Sequence, residues 1–336
     1  MIRIAAIGLG HAHIYNQVET LLKAGAELVW LYSDEPDRTP EFLARYPYVK
    51  LAQTIDEILE DPTIHLVVSA VAPYERAPLG IRVMRHGKDY SVAKPAFTSL
   101  EQLAQVKIVQ AQTKRIYAVH FSERFDNAAT VKAGELVHSG AIGQVIQTTG
   151  FGPHRLLGHI PRPAWAYDKR LFGGILNDLA SHQIDQFLYF TNSIQAEIIS
   201  ARVDLVHHHQ FPHMEDFGEV LIRSANASGF IRVDWLTPEG LATWGDVRLF
   251  LLGTEGYIEL RKTLDIAGRP GDNHLFLVDR RGMHYIDCAE YPLPYGKQLI
   301  DDVLNRTQTA NVQARWFLAC ELALIAQQKA VSLQKF

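Results

Sequence analysis

The chain has 336 residues, 47% hydrophobic and 21% charged, enough for about two domains with apolar cores of their own. Its 23 glycines and 15 prolines are too few for a collagenous or low-complexity chain, and Cys288 and Cys320 match no metal or redox spacing. A formal net charge of −4 offers no global basic field to nucleic acid or anionic lipid.

The first residues, MIRIAAIGLG, read as a strand running into glycines rather than a cleavable leader. No uncharged apolar run reaches the length of a membrane span. A cytoplasmic protein with no nucleic-acid or membrane partner is therefore expected. Residues 2–7, 27–33, 65–71, 89–93 and 115–121 read as short buried strands. Helical periodicity lies between them, over residues 14–23, 55–59, 78–86 and 100–112. That alternation predicts right-handed crossovers and a doubly wound parallel sheet over residues 1–121. From about residue 195 the pattern changes. Runs at 197–205, 219–223, 230–235, 247–252 and 257–260 are joined by turn-rich stretches such as Ser224-Ala225-Asn226-Ala227-Ser228-Gly229. An antiparallel sheet is expected in a second domain, residues 122–336, with helices at 297–305 and 314–330.

Gly8-Leu9-Gly10-His11-Ala12-His13 follows the first strand and opens a helix. Gly8 suits a tight turn and Gly10 a close backbone approach to a pyrophosphate, with the helix N-terminus behind them. His13 stands where a third Gly or Ala is usual. His11 and His13 are candidates to face the phosphates. The second strand ends Ser33-Asp34-Glu35, where an acid would meet the ribose hydroxyls. Asp34 points to NAD, Ser33 and the nearby Arg38 leave NADP open, and a solvated turn is the alternative.

Further landmarks follow in order: Ala93-Lys94-Pro95 after the fifth strand, Ser122-Glu123-Arg124-Phe125, Ser139-Gly140-Ala141-Ile142-Gly143, and Gly173-Gly174-Ile175-Leu176-Asn177-Asp178-Leu179-Ala180-Ser181-His182-Gln183-Ile184-Asp185. With these the chain resembles the Gfo/Idh/MocA family of oxidoreductases over nearly its whole length. The resemblance implies an α/β protein: an N-terminal Rossmann domain, then an α/β domain with an open, mainly antiparallel sheet that often mediates oligomers. A homodimer or homotetramer is expected. It departs from the family at His13, at Ala93 in place of Glu, and at Ala72-Pro73-Tyr74-Glu75-Arg76, where Pro-Asn and a downstream His are usual. Ala72 and Pro73 remain expected cofactor contacts.

Lys94, at the carboxyl end of a strand, lies where open α/β sheets bind ligands. The resemblance implies that it is the active-site lysine, beside both cofactor and substrate. Asp178 and His182, four apart, would share one face of a helix. The resemblance implies that they are the substrate-site pair, with His182 as general base. The implied reaction is hydride transfer between a sugar- or polyol-type CH–OH and nicotinamide. Arg124, Trp165, Tyr167, Asp168 and Asn177 are candidates for the substrate wall. Two other readings use the same fold: NAD-assisted glycoside cleavage or elimination, and a non-catalytic sugar or dinucleotide sensor. His207-His208-His209 with His213 and Asp216 invites a metal reading. Pro212 argues against a helical ligand pair there, and no metal is expected.

Overall fold

The computed structural model describes residues 1–156 and 162–332. They form two compact units. The first holds Met1–His120 and Pro294–Phe317, and the second holds Phe121–Leu293 and the chain from Leu318. A single boundary near residue 121 is thus too simple, because Pro294–Phe317 returns to the first unit.

The first unit is built on a parallel sheet of β1 (Arg3–Ile7), β2 (Glu27–Tyr32), β3 (Lys50–Leu51), β4 (Leu66–Ser69), β5 (Asp89–Ala93) and β6 (Tyr117–His120), in the order β3-β2-β1-β4-β5-β6. Every residue of β4, β5 and β6 is buried. Parallel strands covered by helices on both faces read as continuous apolar runs, which is why the sequence shows them. The two-residue β3 is exposed and carries no such run. Local signals start the helices: Thr54 accepts from the Glu57 N–H while Glu57 reaches back to the Gln53 N–H, and Ser99 accepts from the Gln102 N–H.

The returning segment explains its own placement. The Gln313 side chain accepts from the Tyr117 N–H (3.0 Å) and donates to the Tyr117 carbonyl (2.9 Å), as a neighbouring strand would. It thereby caps the open edge at β6. Arg306 donates to both oxygens of Asp89 at 2.7 and 2.8 Å. Gly296 lies so close to the His13–Lys23 helix that a Cβ there would stand 2.4 Å from the Thr20 carbonyl.

The second unit carries an eight-stranded sheet of β7 (Val145–Pro153), β8 (Glu197–Asp204), β9 (Phe217–Arg223), β10 (Ser228–Asp234), β11 (Arg248–Gly253), β12 (Tyr257–Arg261), β13 (His274–Asp279) and β14 (Gly282–Asp287). The order is β14-β13-β12-β11-β7-β10-β9-β8, antiparallel except for the β7–β10 pair. β7 contains Gly150, Gly152 and Pro153, so its sequence does not look like a strand. The structure shows why the glycines are there: a Cβ on either would meet the Gln183 side chain at 2.7 and 2.9 Å. The Ser181–Phe190 helix lies on the sheet at this point. A core of Leu249, Leu251, Ile258, Leu260, Leu275 and Leu277 packs with Ala129 and Ala133 of the Ala128–His138 helix. On the opposite face, Leu221, Phe230, Thr149, Phe250, Glu259, Phe276 and Tyr285 pair in turn to form one row across the strands. Among the described residues, no helix is long and apolar enough to cross a membrane.

Candidate functional site

In the first unit, Gly8 has φ +79°, and a Cβ on it would stand 2.2 Å from Val71 Cγ1. A Cβ on Gly10 would crowd the Ala70 carbonyl at 3.1 Å. Gly8 demands glycine by both its φ and its contact, while at Gly10 a side chain would fit only tightly. The Gly8 N–H donates to the Tyr32 carbonyl at 2.8 Å, fastening the loop to the end of β2. A collar surrounds Leu9. Its N–H donates to Glu35 Oε2 (3.1 Å), Ser33 Oγ donates to the same oxygen (2.6 Å), and Arg38 Nη1 donates to the Leu9 carbonyl (2.7 Å). Arg38 therefore meets the loop directly, and Ser33 meets it through Glu35.

Asp34 does not lie on it. It is exposed and accepts from the Tyr32 hydroxyl at 2.8 Å, whereas Glu35 turns onto the glycine loop. The sequence reading missed Glu35 because strand-end counting picks out the first acid, not the one the turn folds inward. The half-buried His11 accepts the His13 N–H at its Nδ1 (3.1 Å), with the two rings 4.0 Å apart. These residues fit a dinucleotide pyrophosphate. The loop has no side chain at its two tightest points, its Leu9 N–H already holds an anionic oxygen, and the Gly10 N–H meets no acceptor among the described residues.

Lys94 follows β5 and is only 6% exposed. The residue that fixes its backbone is Arg76, fully buried in the Pro73–Arg85 helix. Arg76 Nε donates to the Val71 carbonyl (2.8 Å), and Nη1 donates to the carbonyls of Ala93 (3.1 Å) and Pro95 (2.9 Å). Ala72 caps that helix and Pro73 opens it, both buried, so these two expected contacts serve the same corner. Arg76 had a signal in the sequence: it occupies the buried stripe with Gly80, Val83 and Met84.

In the second unit, Asp178 and His182 do not share a regular α-helical face. Leu176–Ala180 is a single π-helical turn, and the α-helix starts at Ser181. Asp178 sits in the widened turn and His182 in the first α-turn, so the spacing of four spans a change of pitch. The entry is pinned by two side chains. Glu215 Oε2 accepts from the Ile175 N–H (3.1 Å) and from Gln327 Nε2 (2.9 Å), and Gln327 Oε1 accepts from the Leu176 N–H (2.9 Å). Gly174, at φ +89°, makes room for Gln327, whose Cδ would stand 2.2 Å from a Cβ there. His182 is 2% exposed and meets the Phe121 ring edge-on at 6.0 Å.

Arg124 is not a wall residue. Its Nε and Nη2 donate to the Asp185 carboxylate at 2.6 and 3.0 Å, and both side chains are buried. Beside it, Glu123 Oε2 accepts from Gln183 (2.8 Å) and Gln186 (3.3 Å), next to the buried Lys262. Burial pushes the Lys262 ammonium down in pKa, and the Glu123 charge opposes that. Together Glu123 and Arg124 clamp the turn of helix that follows His182.

The remaining wall candidates separate. Asn177 is 3% exposed and donates to the Phe172 carbonyl at 3.3 Å, which fastens its own turn. Asp168 caps the short Lys169–Phe172 helix and is chelated by Arg170, which with the backbone N–H holds its carboxyl at about 2. Trp165 is half-buried, and Tyr167 stacks on Phe211 at 4.2 Å. The structure adds Arg162, which sequence reading missed. Its Nε and Nη2 donate to the Leu156 (2.9 Å) and Arg155 (3.0 Å) carbonyls, and its guanidinium lies 4.4 Å over Trp235. Burial lowers its pKa, while the charges of Asp178 and Tyr167 oppose the shift. Arg162, Tyr167 and Asp178 thus share one electrostatic neighbourhood. The signal was an Arg between two prolines, three residues before Trp165.

The histidine loop is organised by Asp216. Its carboxylate accepts from the N–H groups of Val206 (2.7 Å), His207 (2.9 Å) and His208 (2.8 Å) and contacts His208 Nδ1 (3.1 Å). Burial pushes Asp216 up in pKa, but these donors outweigh it and the net shift is downward. Among the described residues, no three His, Cys, Asp or Glu side chains converge to hold a metal.

Comparison with known proteins agrees with both halves. The profile of an oxidoreductase family with an NAD-binding Rossmann fold matches residues 2–121, and the GFO/IDH/MocA C-terminal domain matches residues 130–259. Among curated relatives, scyllo-inositol 2-dehydrogenase (NAD(+)) of Bacillus subtilis is 27% identical over 76% of this chain and 73% of its own. Levoglucosan dehydrogenase of Pseudarthrobacter phenanthrenivorans is 24% identical over 48% of this chain and 42% of its own. Among solved structures, a candidate oxidoreductase from Erwinia carotovora atroseptica superposes with a TM-score of 0.96 at 41% identity, covering 99% of this chain and 100% of that one. The chain belongs to the Gfo/Idh/MocA family of NAD-binding oxidoreductases.

Proposed function

We propose that the protein is an NAD-preferring dehydrogenase of a sugar- or polyol-type CH–OH group. The observation that carries this reading is a buried lysine at the carboxyl end of β5, held on both sides by Arg76. A bound nicotinamide supplies the hydride acceptor. Lys94 donates to the substrate oxygen and stabilises charge developing on it. His182 takes the hydroxyl proton, and Asp178 holds the substrate hydroxyls. The scyllo-inositol and levoglucosan dehydrogenases among the relatives support a carbohydrate-like substrate.

Preference for NAD rests on the acids around the glycine loop. Glu35 touches Leu9, and the Glu75 carboxyl is raised in pKa by burial and then by the charges of Glu35 and Asp34. A 2′-phosphate would enter that negative field at a cost. A homodimer or homotetramer through this sheet face completes the proposal, since Leu221, Phe230, Phe250, Phe276 and Tyr285 share its central row with Thr149 and Glu259, and an open face with such large apolar side chains favours a symmetric partner. The test is a panel of sugars and polyols with NAD+ and NADP+, followed by reduced-nicotinamide absorbance. No reduction with any member would contradict the reading. Light scattering of the purified chain tests the oligomer, and a monomer would contradict that part.

A further inference from the structure

We propose that Arg162 reads a carboxylate on the substrate, so that the substrate is a sugar acid, an aldonate or uronate, rather than a neutral polyol. The inference rests on the dehydrogenase reading for its reaction but not for its binding chemistry.

A guanidinium presents five N–H donors in a rigid planar fork and keeps its charge. In Arg162 one edge of the fork is fixed. Nε donates to the Leu156 carbonyl at 2.9 Å and Nη2 to the Arg155 carbonyl at 3.0 Å. One face is covered by the buried Trp235 ring at 4.4 Å. The second edge, made of Nη1 and the other Nη2 hydrogen, donates to no acceptor among the described residues. It presents two parallel donors, the pattern that matches a carboxylate bidentately.

The surroundings turn this into a site rather than a surface arginine. Backbone and ring restrain the guanidinium, so little freedom is lost when it binds. Trp235 follows the end of β10, and its N–H donates to the Asp216 carbonyl at 2.9 Å. That strand and β9 pack against the Leu176–Ala180 turn, where Leu176 comes within 2.6 Å of a Cβ placed on Gly218. Asp178 lies on the same turn, and Arg162 feels its charge. A half-buried cation with one fixed edge, and a second that meets no acceptor among the described residues, suits an anion. Asp178 offsets the charge only from beyond ion-pair distance, so a carboxylate on the second edge adds compensation that a neutral polyol accepting the same hydrogen bonds does not. In turnover the carboxylate is unchanged: the neighbouring CH–OH loses its hydride to nicotinamide and its proton to His182, leaving a ketone.

The test is calorimetric titration, with and without saturating NAD+, of the wild-type protein, R162Q and R162K. The probes are D-gluconate and D-glucuronate against sorbitol and D-glucose. The inference predicts that wild type binds at least one acid tenfold or more tighter than its neutral counterpart, that R162Q loses this preference, and that R162K keeps part of it. Circular dichroism confirms that the variants fold, and the wild-type comparison stands without them. Neutral probes bound as tightly as the acids, no binding of either acid, or equal weakening of both classes in R162Q would each overturn it. The last result would show that Arg162 serves Asp178 instead. Acid binding through Arg162 without nicotinamide reduction would support the inference and count against the dehydrogenase reading alone.

Discussion

Arg76 brackets Lys94: one guanidinium nitrogen donates to the carbonyl before the lysine and to the carbonyl after it, at 3.1 and 2.9 Å. The third bond, to Val71, ties the same side chain to the chain leaving β4. Replacing Arg76 with Met strands three carbonyls, and hydrogen bonds to a charged group are worth about 1.5–3 kcal/mol each. We expect Arg76→Met to lose roughly 3 kcal/mol or more of unfolding free energy in urea. Arg76→Lys should recover part of that loss. Stability equal to wild type in Arg76→Met would show that the bracket is incidental.

A second prediction concerns the cofactor. Glu35, not Asp34, lies on the glycine loop. Glu35→Gln should raise NADP+ affinity by about tenfold, or ~1.4 kcal/mol, and leave NAD+ affinity within a few-fold. Asp34→Asn should change the ratio less. Fluorescence titration of both variants with both nucleotides decides, and a larger shift for Asp34→Asn would return selectivity to the first acid.

The parallel sheet was legible because β4, β5 and β6 are buried along their whole length and are mostly apolar, with polar residues only at Ser69, Asp89, Ser91 and His120. β7 was hidden because its Gly150 and Gly152 are dictated by Gln183, a contact distant in sequence. The return of Pro294–Phe317 was hidden for a similar reason, since a glutamine side chain pairing with an edge strand leaves no local pattern. Of the candidate functional residues, Lys94, Asp178, His182 and the glycine loop stand out in the sequence by residue type and spacing. Arg124 was misread because a buried ion pair and a substrate contact call for the same residue. Only the partner, Asp185, separates the two. The π-turn at Leu176–Ala180 could not be read from a spacing of four, which fits an α-helix equally well.

The Arg124–Asp185 pair gives a third prediction. Removing one member of a buried pair leaves a charge without its partner, at a cost of about 3–5 kcal/mol. Asp185→Ala should fall in that range by urea unfolding. The double replacement R124M/D185L should cost distinctly less than Asp185→Ala, because no lone charge remains. Additive losses would show that the two side chains act independently.

The His207–Asp216 loop should respond to acid. The Asp216 carboxyl in the folded protein is held below its ordinary value of ~3.9. A depressed folded-state value stabilises fully above the unfolded value, and that contribution is lost as pH falls through the lowered one. Urea midpoints measured from pH 6 to pH 3 should therefore fall below about pH 4 in wild type. Asp216→Asn should start less stable and show a flatter dependence over that window. Parallel profiles would contradict the assignment.

The central claim is hydride transfer that depends on Lys94 and His182. The direct measurement is reduced-nicotinamide absorbance with a turned-over sugar, polyol or sugar acid, on wild type, Lys94→Ala and His182→Ala, with NAD+ binding measured alongside. The account predicts rates down by at least about a hundredfold in both variants, the scale of a lost acid–base group, with NAD+ affinity within a few-fold in His182→Ala. Wild-type rates in both variants would contradict it.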